Sequence, residues 1–407
     1  MDNENENENR EAAILCNPET RFQDQRKDED QDSDELRQKL MPKGKGCSSQ
    51  QTSKDKQIQG WLSGSNRPPR PLEAATEILH PNEYSSNGDN YSIGAPSAST
   101  RSSAMVAVDV NDSDYRESLS NYNIYIECEE PPIKLMQRAT EVIDRPRESA
   151  KMEDRVAQEV IWRIKMLQTA DEDAFNKELA PDIVPTIIQV PQQRLARLSS
   201  QLWFRAVAIP LLPDLLNAPS LLLLPRPKPD YVFGFSKLAF TTRQRGSIMH
   251  LVDESSHSYA MPDHNTRFPF LTIEFKSQAK KGTHFVATNQ TAGAGAIALN
   301  GQLELMRRAY SVTALETNAP RFFSLTIDQA YAQINVHWVG GGPAQGEPYS
   351  FHVKVVARHF LDNVEGVRAV AHAVGNILDY GIDTLLPSVC EALDAYETAM
   401  VAARDGI

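Results

Sequence analysis

Alternating apolar and polar residues mark the middle of the chain as a region of strands. In the segment FPFLTIEFKS, Leu271, Ile273 and Phe275 alternate with polar residues that include Glu274 and Lys276. Side chains along a strand point to opposite faces with a period of two, so the three apolar residues share one face. The pattern therefore predicts a strand that carries an acid and a base on its other face.

Similar patterns in other segments predict the order of helices and strands along the chain. Helices are predicted over residues 147–168 and 284–310, and one or two amphipathic helices over residues 364–403, split near Gly381 or Pro387. Further strands are predicted in the segments LWFRAVAIP, PDYVFGFS, RFFSLTIDQ, AQINVHWVGG and YSFHVKVVARHF. The order of helix, strands, helix, strands and helix predicts an α/β or α+β fold with a mixed sheet.

A short helix is predicted in the segment TADEDAFNKELA, directly after the first helix. Thr169 or Asp171 is expected to cap its N-terminus, because both side chains can accept a hydrogen bond from the first turn. Pro181 is expected to end the helix, because proline lacks the backbone N–H that a helix interior requires.

Residues 1–100 differ in composition from the rest of the chain. They are rich in Asn, Gln, Ser, Asp and Glu and poor in apolar residues, so a disordered acidic region is predicted there. The ordered domain is then residues 101–407, with a core at about residues 150–360. The sequence shows no signal peptide, no membrane-spanning apolar run and no paired cysteines, so we expect an intracellular protein of the nucleus or cytoplasm, neither secreted nor membrane-bound.

The charge of the chain is unevenly distributed. The whole chain has a formal net charge of −12, which argues against a surface built throughout for nucleic acid. Residues 201–310 are an exception, because 12 Lys and Arg residues there exceed 7 Asp and Glu residues. The basic residues that flank the polar strand and are predicted to contact phosphates are Lys228, Lys237, Arg243, Arg245, Arg267, Lys280 and Lys281.

Asp230 supplies a second acid to the same region, at the start of the predicted strand PDYVFGFS. Two carboxylates on neighbouring strands are ligands that Mg²⁺ or Mn²⁺ takes together with water and a substrate phosphate. Lys276 follows Glu274 by two residues, where it would position the attacking water or neutralise charge on a phosphate. The combination predicts hydrolysis of phosphodiester bonds.

These residues also carry a family resemblance. Pro229-Asp230 followed by Glu274-Phe275-Lys276 resembles the PD-(D/E)XK signature of the restriction-endonuclease-like nucleases. With the segment HFVATNQTAGAGA, the chain resembles an uncharacterised fungal domain family that has this nuclease core. The resemblance covers roughly residues 115–400 and is most specific between residues 225 and 301.

The resemblance implies a restriction-endonuclease-like central mixed β-sheet flanked by helices, a divalent metal ion and a nucleic-acid substrate, with DNA favoured over RNA. It gives Asp230 and Glu274 the metal-ligand roles and Lys276 the role of activating water. Gln290, in the following helix, matches a position where such nucleases often carry an accessory polar residue.

A further acid on an early helix is often part of such a site. The candidates here are Glu153, Glu159 and Glu178. Glu153 is slightly favoured over Glu159 because it lies closer to the centre of the apolar stripe on the first predicted helix. The choice among the three stays open at this level.

Two other classes of protein fit parts of the pattern. A Glu-x-Lys pair on a strand is commonly a solvated edge or a cross-strand ion pair, and many nuclease folds have lost catalysis. The chain is then a catalytically inactive nuclease-fold protein that binds nucleic acid, or a fungal interaction or self-recognition factor that binds a protein partner. The sequence contains neither a GxxxxGK[ST] loop nor an HExxH motif, so nucleotide hydrolysis and zinc catalysis are disfavoured.

Overall fold

A computed structural model of the chain describes residues 106–147, 152–185, 193–215, 222–311, 316, 318–341 and 349–405. The predicted disordered region at residues 1–100 lies outside the described residues. The described helices are α1 (Tyr115–Ser120), α2 (Ile133–Asp144), α3 (Asp154–Met166), α4 (Glu172–Ile183), α5 (Thr242–His250), α6 (His284–Tyr310), α7 (Val364–Tyr380) and α8 (Leu386–Asp405). A short π-helical segment, Gly381–Leu385, joins α7 to α8.

The described strands are β1 (Val106–Ala107), β2 (Ile124–Ile126), β3 (Leu195–Ser199), β4 (Leu222–Leu223), β5 (Tyr231–Phe235), β6 (Arg267–Phe275), β7 (Phe322–Ile327), β8 (Tyr331–Gly340) and β9 (Ser350–Phe360). Seven of them form one mixed sheet in the order β2-β9-β8-β7-β6-β5-β3, and β1 pairs with β4 separately. Strands β3, β5 and β6 are antiparallel neighbours, whereas β7 runs parallel to β6. The predicted mixed α/β fold with helices around a central sheet is confirmed.

Strand β6 lies inside the sheet and is covered on both faces. Helix α6 connects β6 to its parallel neighbour β7, as a crossover between parallel strands requires, and packs across β6, β7 and β8. On the other face, Phe175 of α4 packs edge-on against Phe275, with ring centroids 6.1 Å apart. Because of this double cover, eight of the nine residues of β6 are buried, and the polar residues Thr272 and Glu274 are among them.

The small residues of α6 explain how the helix approaches the sheet. A Cβ atom added at Gly295 would collide with the imidazole of His337, which belongs to β8. The ring of His337 is buried, and its Nε2 lies 2.8 Å from the Oγ of Ser324 on β7. The helix therefore rests directly on polar side chains of the sheet, which a larger residue at position 295 would displace.

Two predictions about secondary structure are wrong: one strand and the end of one helix. The segment LWFRAVAIP is not a strand, because its backbone bonds to loops: the N–H groups of Trp203 and Arg205 donate to the carbonyl oxygens of Pro227 and Pro262. The strand that pairs with β5 at this side of the sheet is instead β3, which lies earlier in the chain. Pro181 does not end its helix either, since α4 continues through it to Ile183.

Among the described residues, no helix is both long enough and apolar enough to cross a membrane.

Candidate active site

The antiparallel pairing of β5 and β6 brings Asp230 beside the end of β6. Tyr231 at the start of β5 pairs with Ile273 near the end of β6. Asp230, one residue before Tyr231, accepts a hydrogen bond on Oδ2 from the backbone N–H of Phe275 at 2.8 Å. Two residues 45 positions apart in sequence thus form one corner of the sheet, and Glu274 lies in it.

Lys276 extends from the same corner and is held by three oxygen atoms. Its Nζ lies 2.8 Å from Oε1 of Glu172, 2.9 Å from the carbonyl oxygen of Phe275 and 3.8 Å from Oε2 of Glu274. The side chains of Lys276 and Glu274 are only 6% and 5% exposed. An acid and a base on a solvated strand face would be open to water, so that interpretation of the Glu-x-Lys pair is wrong.

Glu172 is the acidic residue that sequence reasoning missed. It lies in the first turn of α4, whose N-terminus is capped by Asp171 through a hydrogen bond from the N–H of Ala174 at 2.8 Å. The cap fixes the direction of the first turn and places the Glu172 carboxylate at Lys276, 104 positions away in sequence. The observed cap selects Asp171 over Thr169, and the acid that follows a helix cap is the signal that could have identified Glu172.

The three acids that the sequence offered as candidates for a further acid of the site are not the one that contacts Lys276. Glu153 occupies the N-cap position of α3. The backbone carbonyl of Glu178 accepts a hydrogen bond from the guanidinium of Arg163. Among the described residues, no hydrogen bond or ion pair joins Glu153, Glu159 or Glu178 to Lys276.

Burial and charge shift the proton affinity of all three sheet-corner residues. Burial raises the pKa of Glu274 well above its ordinary value, and the charge of Asp230 raises it further. Burial also raises the pKa of Asp230, although the hydrogen bond from Phe275 N–H and the charge of Lys276 oppose the change. Burial lowers the pKa of Lys276, but Glu274 and Glu172 outweigh burial and raise the pKa overall.

The donors in this corner fit a hard divalent cation. Asp230 and Glu274 are carboxylates, and their pKa values rise partly because neighbouring negative charges repel one another, a repulsion that a bound cation relieves. Among the described residues, no group of three or more His, Cys, Asp or Glu side chains is arranged to hold a metal ion. Two carboxylates completed by water and a substrate phosphate are nevertheless a common environment for Mg²⁺.

Glu274 also borders a cavity of about 410 Å³. Gln290 lines the same cavity from α6, so the structure brings this predicted accessory residue to the same site. The Oε1 atom of Gln290 is buried and accepts no hydrogen bond. Trp203 also lines this cavity; it is fully buried, and its Nε1 has no partner.

The basic residues predicted to flank the site are divided between the two ends of the strands. Lys228 borders the cavity beside Glu274, and Lys280 and Lys281 follow the end of β6. Lys237 follows β5, and Arg267 begins β6, seven residues before Glu274, or about 23 Å along a strand. The prediction that Lys237 and Arg267 flank the site is therefore wrong.

Arg243 and Arg245 lie on α5, where local partners occupy their guanidinium groups. Arg243 forms an ion pair with Glu397 of α8 at 3.0 Å, and Arg245 donates to the carbonyl oxygen of Phe240 at 2.9 Å. Nothing in these contacts joins the two arginines to the carboxylates at the end of β6.

Two acids, a lysine and a third acid therefore meet at one end of the sheet. The protein is of the α/β class and has a charged site at this position. The chain belongs to the family described as a domain of unknown function, DUF7924, whose model matches residues 159–393, more than half of the 407 residues. The matched region contains Glu172, Asp230, Glu274, Lys276 and Gln290. A search of curated proteins found no match to the chain.

Proposed function

We propose that the chain is a divalent-metal-dependent, nuclease-like protein that hydrolyses phosphodiester bonds in nucleic acid. The observation that carries the proposal is the meeting of Asp230, Glu274 and Lys276 at the adjoining ends of β5 and β6. Burial of Glu274 and Lys276 in this cluster has a cost in desolvation, and such clusters are characteristic of sites that perform chemistry. The proposal includes a restriction-endonuclease-like core of the fungal type that the sequence resembles. The mixed sheet and the β6-α6-β7 crossover support such a core.

Each residue has a role that follows from its position. Asp230 and Glu274 would hold Mg²⁺ or Mn²⁺, which when bound supplies positive charge to the phosphate and lowers the pKa of a water molecule. Lys276 directs its ammonium into the same corner, where it orients water or neutralises charge that develops on the phosphate. Glu172 holds that ammonium in place at 2.8 Å and is a positioning residue.

The substrate class follows from charge near the site. Arg226 and Lys228 are exposed residues at the cavity that Glu274 borders, and Lys280 and Lys281 are exposed just beyond β6. Basic side chains at such positions contact phosphates irrespective of base sequence. We propose DNA as the preferred substrate over RNA.

Cleavage assays on the full chain test this function. Single- and double-stranded DNA and RNA are incubated with Mg²⁺, Mn²⁺ or EDTA, and the unaltered chain is compared with Asp230→Asn and Lys276→Met. Each substitution keeps the approximate shape of its side chain, and each is expected to lower the rate about a hundredfold or more. Lys237→Met is the matched control, because Lys237 is an exposed lysine that follows β5 at the other end of the strands, so its loss should leave the rate unchanged.

Metal-independent cleavage, or cleavage that survives in both variants, would show that a different site or a contaminating enzyme acts. Absence of cleavage on all four substrates, with unchanged circular dichroism, would refute the hydrolytic proposal.

A second function is favoured by the contacts of Lys276 itself. Its ammonium is already bound by Glu172 and the carbonyl oxygen of Phe275, an arrangement that needs no substrate to be satisfied. The alternative is a catalytically inactive nuclease-fold protein that binds nucleic acid, or a protein partner in interaction or self-recognition. Salt-dependent affinity for DNA without cleavage would support the nucleic-acid form of this alternative.

A further inference from the structure

The interior of α6 contains a glycine that no packing contact requires. Three glycines occur in this helix, and glycine weakens a helix interior relative to alanine. A Cβ atom at Gly295 would collide with His337, and one at Gly301 would collide with the carbonyl oxygen of Tyr259. A Cβ atom at Gly293 would meet no atom within 4 Å, so the chain leaves open space there.

This open space is part of the cavity beside Glu274. Gln290, Gly293 and Ile297 recur at three- and four-residue intervals, so they share one face of α6, and all three line the cavity. The volume of about 410 Å³ falls within the roughly 300 to 1,000 Å³ of small-molecule sites. The missing side chain at Gly293 therefore widens a cavity of the size that holds a ligand.

Two residues that line the cavity, Trp203 and Gln290, contain buried polar atoms that have no protein partner. Trp203 is fully buried, and a hydrogen bond from its backbone N–H to the carbonyl oxygen of Pro227 at 2.9 Å fixes its position. Its Nε1 is a donor without an acceptor, and Oε1 of Gln290 is an acceptor without a donor. Buried polar groups are normally paired, so the wall of the cavity retains one unmatched donor and one unmatched acceptor.

Charged residues of both signs line this apolar space. Arg226 and Lys228 are exposed residues of its lining, and Glu274 borders it from the sheet corner. The ligand that combines a flat apolar body, hydrogen-bonding edges and an attached anion is a nucleotide. An unstacked base is held in a pocket by packing against apolar side chains and by hydrogen bonds along its edges.

We propose that this cavity holds one unstacked nucleobase of a nucleic-acid strand whose adjoining phosphate lies at Asp230 and Glu274. The inference rests on the proposed function, because it takes the carboxylate corner as the place of the phosphate. It also specifies the substrate further: the strand must be single, frayed or distorted near the cut, since a base inside an intact duplex cannot enter a cavity.

The test measures binding of deoxynucleoside 5′-monophosphates to the full chain by isothermal titration calorimetry, with Ca²⁺ present and again with EDTA. Deoxyribose 5-phosphate, which has the phosphate and sugar but no base, is titrated in parallel. On the unaltered chain, at least one of the four nucleotides is expected to bind about tenfold or more tightly than deoxyribose 5-phosphate, a factor of ten being about 1.4 kcal/mol. Equal binding of all probes, or no binding of any, would overturn the proposal.

Gly293→Leu supplies a direct test of the location. The leucine side chain enters the open space above α6 and is expected to weaken nucleotide binding about tenfold or more, an amount that corresponds to about 1.4 kcal/mol. Gly246→Leu is the matched control, because a Cβ atom at Gly246 on α5 also meets nothing within 4 Å and Gly246 does not line this cavity. Unchanged nucleotide affinity in a folded Gly293→Leu chain would overturn the proposal.

Failure of the base site and failure of the nuclease are separable. Nucleotide binding that Gly293→Leu weakens, in a chain that cleaves no nucleic acid, supports the base site and refutes hydrolysis. Metal-dependent cleavage at the same rate in Gly293→Leu and the unaltered chain supports hydrolysis and overturns the base site.

Discussion

The carboxyl group of Glu274 is expected to destabilise the fold, so Glu274→Gln should be more stable than the unaltered chain at neutral pH and above. Burial raises the pKa of Glu274 well above its ordinary value, and the charge of Asp230 adds to this effect. A carboxyl whose pKa is higher in the folded state favours folding while it is protonated, and this contribution is lost as the pH rises through the folded pKa. Glutamine has the same shape and no charge, so it removes that loss.

The expected gain in stability is large because nearby groups compensate little of the charge of Glu274. The Nζ of Lys276 is 3.8 Å from Glu274 but 2.8 Å from Glu172, so the closer ion pair remains in Glu274→Gln. Replacing buried charged clusters with neutral residues is often neutral or stabilising by about 1 to 4 kcal/mol. For a single carboxyl we expect Glu274→Gln to raise the free energy of unfolding by about 1 to 2 kcal/mol at pH 8.

Glu304→Gln is the matched control and should change stability in the opposite direction. Burial raises the pKa of Glu304, but ion pairs with Arg307 at 2.7 Å and Arg308 at 2.6 Å outweigh burial and lower the pKa overall. A carboxyl with a lowered pKa stabilises the fold above its unfolded pKa. Neutralising Glu304 therefore removes a favourable contribution at pH 8.

Urea unfolding of the full chain in EDTA, followed by circular dichroism at pH 5 and pH 8, measures both effects. The advantage of Glu274→Gln should be present at pH 8 and smaller at pH 5, where more of the Glu274 carboxyl is protonated. Mg²⁺ at ten times its dissociation constant should stabilise the unaltered chain by about 1.4 kcal/mol and should stabilise Glu274→Gln less. If Glu274→Gln loses stability at pH 8 as Glu304→Gln does, Glu274 is a structural ion-pair residue and the reasoning fails.

Further substitutions test the elements around the site. Asp171→Ala removes the cap on α4 and its bond to Ala174, so it should cost about 1 kcal/mol in urea unfolding, and equal stability would contradict the cap. Gly295→Ala should cost about 1 to 3 kcal/mol because the methyl group collides with His337, whereas Gly293→Ala should gain about 0.5 to 1 kcal/mol; a gain at both positions would contradict the close approach of α6. Burial lowers the pKa of His337 to about 3, below an unfolded value of about 6.5, so its contribution to stability is complete above pH 6.5 and is lost as the pH falls towards 3, by as much as about 1.4 kcal/mol per pH unit. The slope of unfolding free energy with pH should flatten in His337→Gln, and an unchanged slope would assign it to other groups.

Local patterns were sufficient to predict the strands that surround the site. β5, β7 and β9 fall within segments whose alternation or apolar run predicted a strand, and β6 and β8 each begin one residue before such a segment. Two of these segments also placed Asp230 at the start of one strand and Glu274 on another, whereas the antiparallel pairing that joins them is seen only in the structure. The strands themselves depend on neighbours in sequence, and periodicity records that dependence.

Features that depend on packing between distant segments could not be predicted in this way. The segment LWFRAVAIP has strand-like composition, but Trp203 and Arg205 bond to loops, and composition does not encode the choice of hydrogen-bonding partner. Pro181 lies in the last turn of α4, where Ala180 and Ile183 on either side are buried, so packing maintains the helix past the proline. In both cases tertiary contacts outweigh local propensity.

The position of Glu172 shows why the site could be predicted only in part from the sequence. Its role depends on the docking of α4 against the end of β6, where Phe175 contacts Phe275 and fixes the helix beside the sheet. The first turn of α4 then reaches Lys276, so an apolar contact on one face of β6 determines which acid meets the lysine at its end. Glu274 and Lys276 are both buried at this end of β6, and burial raises the pKa of Glu274. The fold thus maintains a charged corner at a cost in stability, and the expected gain from Glu274→Gln would measure that cost directly.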